Sequence, residues 1–223
     1  MDSTPRPRGG RSQAPSGIAG PESSGSVART RRKRRLPKTI SRPEAEALLN
    51  APNTRAPTGL RNRCILELMY RAGVRVGEVL ALEPRDVDLG SGTIRILDGK
   101  GGDGTAYFDA SAAPWLEQWK RERRHYARAG SPLFCTLAGG PVSVRYVQLM
   151  VKRMAKRAGV TSTVTPHVLR HCFATELLDE GANIRQVQEA LRHADVSTTM
   201  IYTHVLDTQL RSLIRKRKRL RLT

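Results

Sequence analysis

The sequence predicts an α+β fold that is mainly helical, with one small antiparallel β-sheet or hairpin. Three observations carry that expectation. Apolar residues recur at helical spacing, as at Ile65, Leu66, Leu68 and Met69. Only one stretch, Thr93-Ile94-Arg95-Ile96-Leu97, alternates like a strand. It is followed by the glycine-rich turn Asp98 to Gly104 and by Thr105-Ala106-Tyr107-Phe108, which supply a hairpin partner.

In chain order, residues 1–26 hold four Pro, five Gly and six Ser, too little apolar surface to offset the entropy of ordering. With the basic run that follows, residues 1–35 are expected to form a disordered arm, and 36–223 the folded body with a basic C-terminal helix and tail. Ser41 can cap a helix containing Glu44, with Ala47, Leu48 and Leu49 facing inward. Arg61 to Arg71 reads as a stronger helix, broken by Gly73 and Val74. Val76 to Leu82 starts another, which places Arg75 at a helix start near Glu78. Residues 112–128 and 143–158 read as helices. Thr165-Pro166 is a capping hydroxyl followed by proline at the first helical position, and Leu169, Phe173 and Leu177 then form a buried stripe ending before Gly181. Short helices are expected at Ile184–Leu191, around Thr198–Tyr202 and at Leu206–Lys216. No internal repeat is present.

The charge narrows the class of partner. Lys and Arg number 39 against 20 Asp and Glu, a formal net charge of +19 with pI near 11.0. Residues 1–41 carry ten Lys/Arg and two acids, and residues 211–223 carry seven Lys/Arg and none. So large an excess favours a polyanion, nucleic acid first and an anionic membrane surface second. The run Arg29 to Arg35, with Arg31, Arg32, Lys33, Arg34 and Arg35, reads either as a solvated linker or as a phosphate-contacting arm. Cys64, Cys135 and Cys172 show no metal spacing, which points to a reduced, cytoplasmic protein. No apolar run approaches the ~20 residues of a membrane span, so a soluble protein without a membrane partner is expected.

Toward the C-terminus the polar residues become suggestive. His167 and Arg170, three apart, share a helix face; His193 follows, and nine residues later comes Tyr202. Each alone has an ordinary reading: a solvent-facing strip for His167 and Arg170, a helix-start arginine for Arg75, an exposed turn lysine for Lys100, a packed aromatic for Tyr202. Together they offer a tyrosine hydroxyl that can attack a phosphodiester, arginine forks that can hold phosphate oxygens, and groups that can move protons. His171 and His204 read as structural. No zinc or magnesium ligand set is apparent, and no cofactor is expected.

The joint order of Arg75 within Ala72-Gly73-Val74-Arg75-Val76-Gly77-Glu78, Gly99-Lys100-Gly101, His167-Val168-Leu169-Arg170, His193 and Tyr202 resembles the tyrosine recombinase family, also called phage integrases. The resemblance covers about residues 36–215, and Pro166–Val205 looks like integron integrases and Xer-type recombinases. It implies a helical catalytic domain with a small antiparallel sheet over residues 36–223. It also implies strand cleavage and rejoining through a 3′-phosphotyrosyl intermediate, with no metal and no ATP. By that resemblance Tyr202 is the nucleophile, Arg75 and Arg170 hold the phosphate, His167 accepts the tyrosine proton, His193 bonds the phosphate, and Lys100 protonates the departing sugar oxygen. Double-stranded DNA would be the partner. The apolar stripe of Leu206, Leu210, Leu213 and Ile214 would dock on a neighbouring copy in a homo-tetramer.

Three departures from the family pattern stand out. Arg192 replaces the usual glycine before the second histidine, adding a bulky cation beside the expected phosphate pocket, where it joins residues 31–35 as a candidate DNA contact. Asp103-Gly104-Thr105 follows the hairpin turn where another basic residue is common. Residues 1–35 are too short and polar to be the helical core-binding domain that precedes the catalytic domain in most members. Two other functions share parts of this pattern: relaxation of supercoils by a type IB topoisomerase, and non-catalytic DNA binding on the same fold.

Overall fold

A computed structural model describes residues 39–97 and 103–192. The helices are α1 (Arg42–Asn50), α2 (Pro57–Arg71), α3 (Val76–Ala81), α4 (Ala113–Glu122), α5 (Val144–Arg157), α6 (Pro166–Asp179) and α7 (Ile184–Ala190). Three strands, β1 (Val87–Asp88), β2 (Thr93–Ile96) and β3 (Gly104–Tyr107), form one antiparallel sheet in that order. The α+β, mainly helical expectation therefore holds, and the hairpin pairs Ile94 with Ala106 and Arg95 with Thr105.

Local chemistry explains most of the boundaries. Ser41 and Glu44 make a reciprocal capping box at the start of α1, and Ser143 caps α5 by accepting from the Tyr146 N–H. Thr165 caps α6 through the Val168 N–H, with Pro166 at the first position as expected. Gly73 ends α2 at φ 58°, and a Cβ there would lie 2.4 Å from the Phe173 ring, so glycine answers both the turn and the packing.

Several boundaries differ from the sequence reading. On α1 the inward small residue is Ala45, which shares the face of Leu48 and Leu49; Ala47 is exposed. α2 begins at Pro57 rather than near Arg61, because proline suits the first helical position. The expected helix over residues 112–128 stops at Glu122 and tightens into a 3-10 turn, Arg123–His125. β1 extends the hairpin to three strands, pairing Val87 with Ile94. Phe173 and Leu177 are half-buried, whereas Cys172, Ala174 and Leu178 are buried, because α6 turns different faces to α2 and to α7 along its length.

The main core gathers Leu48, Leu49, Ile65, Leu66, Leu68 and Met69 against Ile94, Ile96, Leu116, Trp119, Phe134, Met150 and Leu169. Trp119 stacks on Phe134 at 6.5 Å between ring centroids and donates its indole N–H to the Leu133 carbonyl at 2.9 Å. α2 runs through the middle and is buried nearly all round, charged residues included. Arg63 Nε donates to Glu67 Oε1 and Arg71 Nε to Glu67 Oε2, both at 2.6 Å, so the fully buried carboxylate is held from both sides. Arg61 donates to the Cys135 carbonyl at 2.9 Å and lies over the Tyr146 ring. Among the described residues no helix is long and apolar enough to cross a membrane.

Candidate active site

Three of the six sequence-identified site residues, Arg75, His167 and Arg170, lie among the described residues. Lys100, His193 and Tyr202 lie outside them, as do Arg31, Arg32, Lys33, Arg34, Arg35 and the segment 206–216. The site begins at the break between α2 and α3. Arg75 takes an extended conformation (φ −68°, ψ 147°) at the position before α3, so its backbone N–H has no partner within the helix. Glu78, three residues on, accepts that N–H at 2.9 Å through Oε2, and accepts Arg75 Nη1 at 2.9 Å through Oε1. Glu78 is buried and Arg75 is only partly exposed.

Arg170 reaches the same region from α6. It is buried, and its two Nη atoms donate to the carbonyls of Gly73, two residues before Arg75, and Leu191, at the end of α7. One guanidinium thus joins the turn that carries Arg75 to the turn that precedes His193. His167, one turn earlier on α6, is exposed at the N-terminal end of that helix. His171, half-buried on the next turn, has its pKa lowered by burial.

Arg192 does not extend outward. It adopts a left-handed backbone, φ 50°, a conformation that costs a residue with a side chain about 1–2 kcal/mol. Its side chain turns inward, and Nη2 donates to Glu78 Oε2 at 2.6 Å. Burial pushes the Glu78 carboxyl up, but the hydrogen bonds from Arg75 and the charges of Arg192 and Arg75 outweigh it and hold the carboxyl below its ordinary value. Spacing gave no sign of this bond, whose partners are 114 residues apart.

Arg75 and Arg192 place two cations on one carboxylate, while Arg170 is bonded to the Gly73 and Leu191 carbonyls, so the guanidiniums outnumber the carboxylate they share. No cluster of His, Cys, Asp or Glu among the described residues could hold a metal ion. Fold and site together define a mainly helical domain with a small antiparallel sheet and an arginine-rich junction between the α2–α3 break and the end of α7. The chain belongs to the phage integrase family, matching it over residues 38–209.

The tyrosine recombinase XerD of Ralstonia nicotianae is 45% identical over 183 residues, which cover 80% of this chain and 59% of that protein. The crystal structure of XerA recombinase superposes with a TM-score of 0.72 at 33% identity, over 82% of this chain and 65% of that one. XerH site-specific recombinase bound to difH substrate, in a pre-cleavage complex, gives a TM-score of 0.66 at 33% identity over 76% of this chain and 51% of that one. The chain therefore spans about three-fifths of the length of the curated relative and less than two-thirds of each of these structures.

Proposed function

We propose that this protein is a site-specific DNA recombinase that cleaves and rejoins strands through a 3′-phosphotyrosyl intermediate. The observation that carries the reading is the Arg170 bridge, which draws the Arg75 turn to Leu191 at the end of α7, two residues before His193 in the sequence. In the proposed step Tyr202 Oη forms a bond to phosphorus as the bond to the 5′ sugar oxygen breaks. His167 takes the tyrosine proton, Lys100 supplies one to the departing oxygen, and Arg75, Arg170 and His193 stabilise charge on the non-bridging oxygens. A free tyrosine titrates at about 10, so the step needs such a base at neutral pH. A strand bearing a free 5′ hydroxyl reverses the chemistry and reseals the backbone. No metal enters this scheme.

Double-stranded DNA as the substrate is supported by the likeness to XerH bound to difH and by α5. That helix exposes Arg145, Lys152, Arg153, Lys156 and Arg157 and contains no acid. The arm with Arg31, Arg32, Lys33, Arg34 and Arg35 adds backbone contacts in this reading, and the protein works in the cytoplasm on the nucleoid. Assembly as a homo-tetramer through residues 206–216 is the finer proposal. It is supported by a cleft of about 590 Å³ whose lining includes Tyr70, Phe108, Phe173 and Leu177, with four carboxylates against two arginines. Such a cleft suits an apolar, basic helix.

The deciding experiment traps the protein on nicked suicide duplexes carrying candidate sites. A covalent protein–DNA adduct that disappears in Tyr202→Phe is expected. Absence of any adduct would overturn the reading in favour of a DNA-binding module, and supercoil relaxation without strand exchange would place the protein with topoisomerases.

A further inference from the structure

Glu78 is shared between two arginines that the chain brings together from opposite ends of the fold. Its Oε1 receives the Arg75 guanidinium, and its Oε2 receives both the Arg75 backbone N–H and Arg192 Nη2. The first two bonds come from the carboxylate's own turn and move with it. Arg170 ties the backbone of that turn to α6 and to the end of α7. Among the described residues, it is the Arg192 bond that ties the Glu78 carboxylate itself to another element. The Arg192 backbone is anchored in its turn, because the carbonyl of the preceding residue, Leu191, accepts from Arg170.

The fold makes room for this contact at some expense. Arg192 holds a left-handed backbone, and its side chain is only 8% exposed. It passes over Gly104 of β3, where a Cβ would come within 3.1 Å of Arg192 Cδ. Its Nη1 is buried with no hydrogen-bond partner among the described residues. A strained backbone and an unmet donor are poor ways to stabilise a corner, and an apolar side chain would fill the space without leaving a donor unmet.

We propose that Arg192 is a positioning residue for Arg75. By holding Oε2 from the α7 side, it fixes the plane of the Glu78 carboxylate, and Oε1 then keeps the Arg75 guanidinium in one orientation. The remaining N–H groups of Arg75, whose side chain is 24% exposed, face an incoming phosphate. This rests on the reading that Arg75 grips the scissile phosphate.

The test compares single-turnover cleavage of a suicide duplex at saturating DNA with duplex affinity measured separately. The proteins are wild type, Arg192→Met, Arg192→Gly, Arg192→Lys, Glu78→Gln and the double variant Glu78→Gln with Arg192→Met. Arg192→Met is expected to cleave about tenfold more slowly at unchanged affinity, since misplacement of a catalytic group acts on the chemical step. Arg192→Gly relieves the backbone but removes the cation, and is expected to be as slow. Arg192→Lys should recover part of the rate, and the double variant should be no slower than Glu78→Gln alone. Wild-type rates in both Arg192→Met and Arg192→Gly would overturn the proposal. So would losses that multiply in the double variant, or a loss confined to affinity, which would mark Arg192 as a direct DNA contact. If wild type forms no adduct, the recombinase reading fails by itself. Carbon-13 NMR of the Glu78 carboxyl then still decides the bridge: Arg192→Met must raise its titration midpoint, and an unmoved midpoint overturns the proposal.

Discussion

Glu78 shows how much of the site depends on one carboxylate in a shielded place. Its pKa is depressed in the fold because the hydrogen bonds from Arg75 and the charges of Arg192 and Arg75 outweigh desolvation. A carboxyl whose folded pKa lies below its unfolded value of about 4.3 contributes stability that is full above that value. The contribution is lost as pH falls through the folded pKa. Glu78→Gln keeps the shape but leaves the buried Arg192 guanidinium without its anion, so the variant should lose about 2–4 kcal/mol at neutral pH. The gap between the two proteins in urea midpoints should stay constant from neutral pH down to about 5 and close below about 4. A gap independent of pH would mean that the pair carries no net electrostatic stabilisation.

At the scale of the element, α6 carries two of the proposed catalytic residues, so its start fixes their placement. Thr165 accepts from the Val168 N–H, and Leu169, between His167 and Arg170, is fully buried in the core. Thr165→Ala should cost about 1 kcal/mol through the lost cap, and Leu169→Ala about 2–5 kcal/mol through the cavity it leaves. Both are measurable by denaturant titration, and equal losses would contradict this account of the helix. The cap was legible in the sequence because Thr165-Pro166 is local chemistry. So was the hairpin, whose glycine turn and alternation lie within a few residues. The buried charges of α2 were less so. Arg63, Glu67 and Arg71 stand four apart, which is visible, but their burial depends on Asn50, Trp115, Glu46 and Asp109 from other elements. Arg192 read as a candidate DNA contact for the same reason: its partner lies 114 residues away, and only the assembled fold shows it.

For the whole molecule, the charge that first pointed to a polyanion is unevenly distributed. Arg75, Arg170 and Arg192 are committed to internal bonds, so most long-range attraction must come from exposed cations elsewhere. The exposed face of α5 is one source, and the sequence adds the run Arg31 to Arg35 and the seven Lys/Arg of residues 211–223, which lie outside the described residues. Each lysine or arginine that neutralises a phosphate adds about 0.9 to the slope of log affinity against log salt. Lys152→Ala with Arg153→Ala should therefore lower the slope by about 2 if both meet the backbone, with similar losses on matched and unmatched duplexes. Deleting residues 1–35 removes the five consecutive cations Arg31 to Arg35 as well as the scattered Arg6, Arg8, Arg11 and Arg29. It should lower the slope by up to about 4–5 if the consecutive run alone meets the backbone. Because neither change touches the arginine cluster, the cleavage rate at saturating DNA should hold in both. An arm deletion that leaves affinity and slope unchanged would make residues 29–35 a solvated linker. The grip on DNA would then fall to α5 and to the rest of the domain.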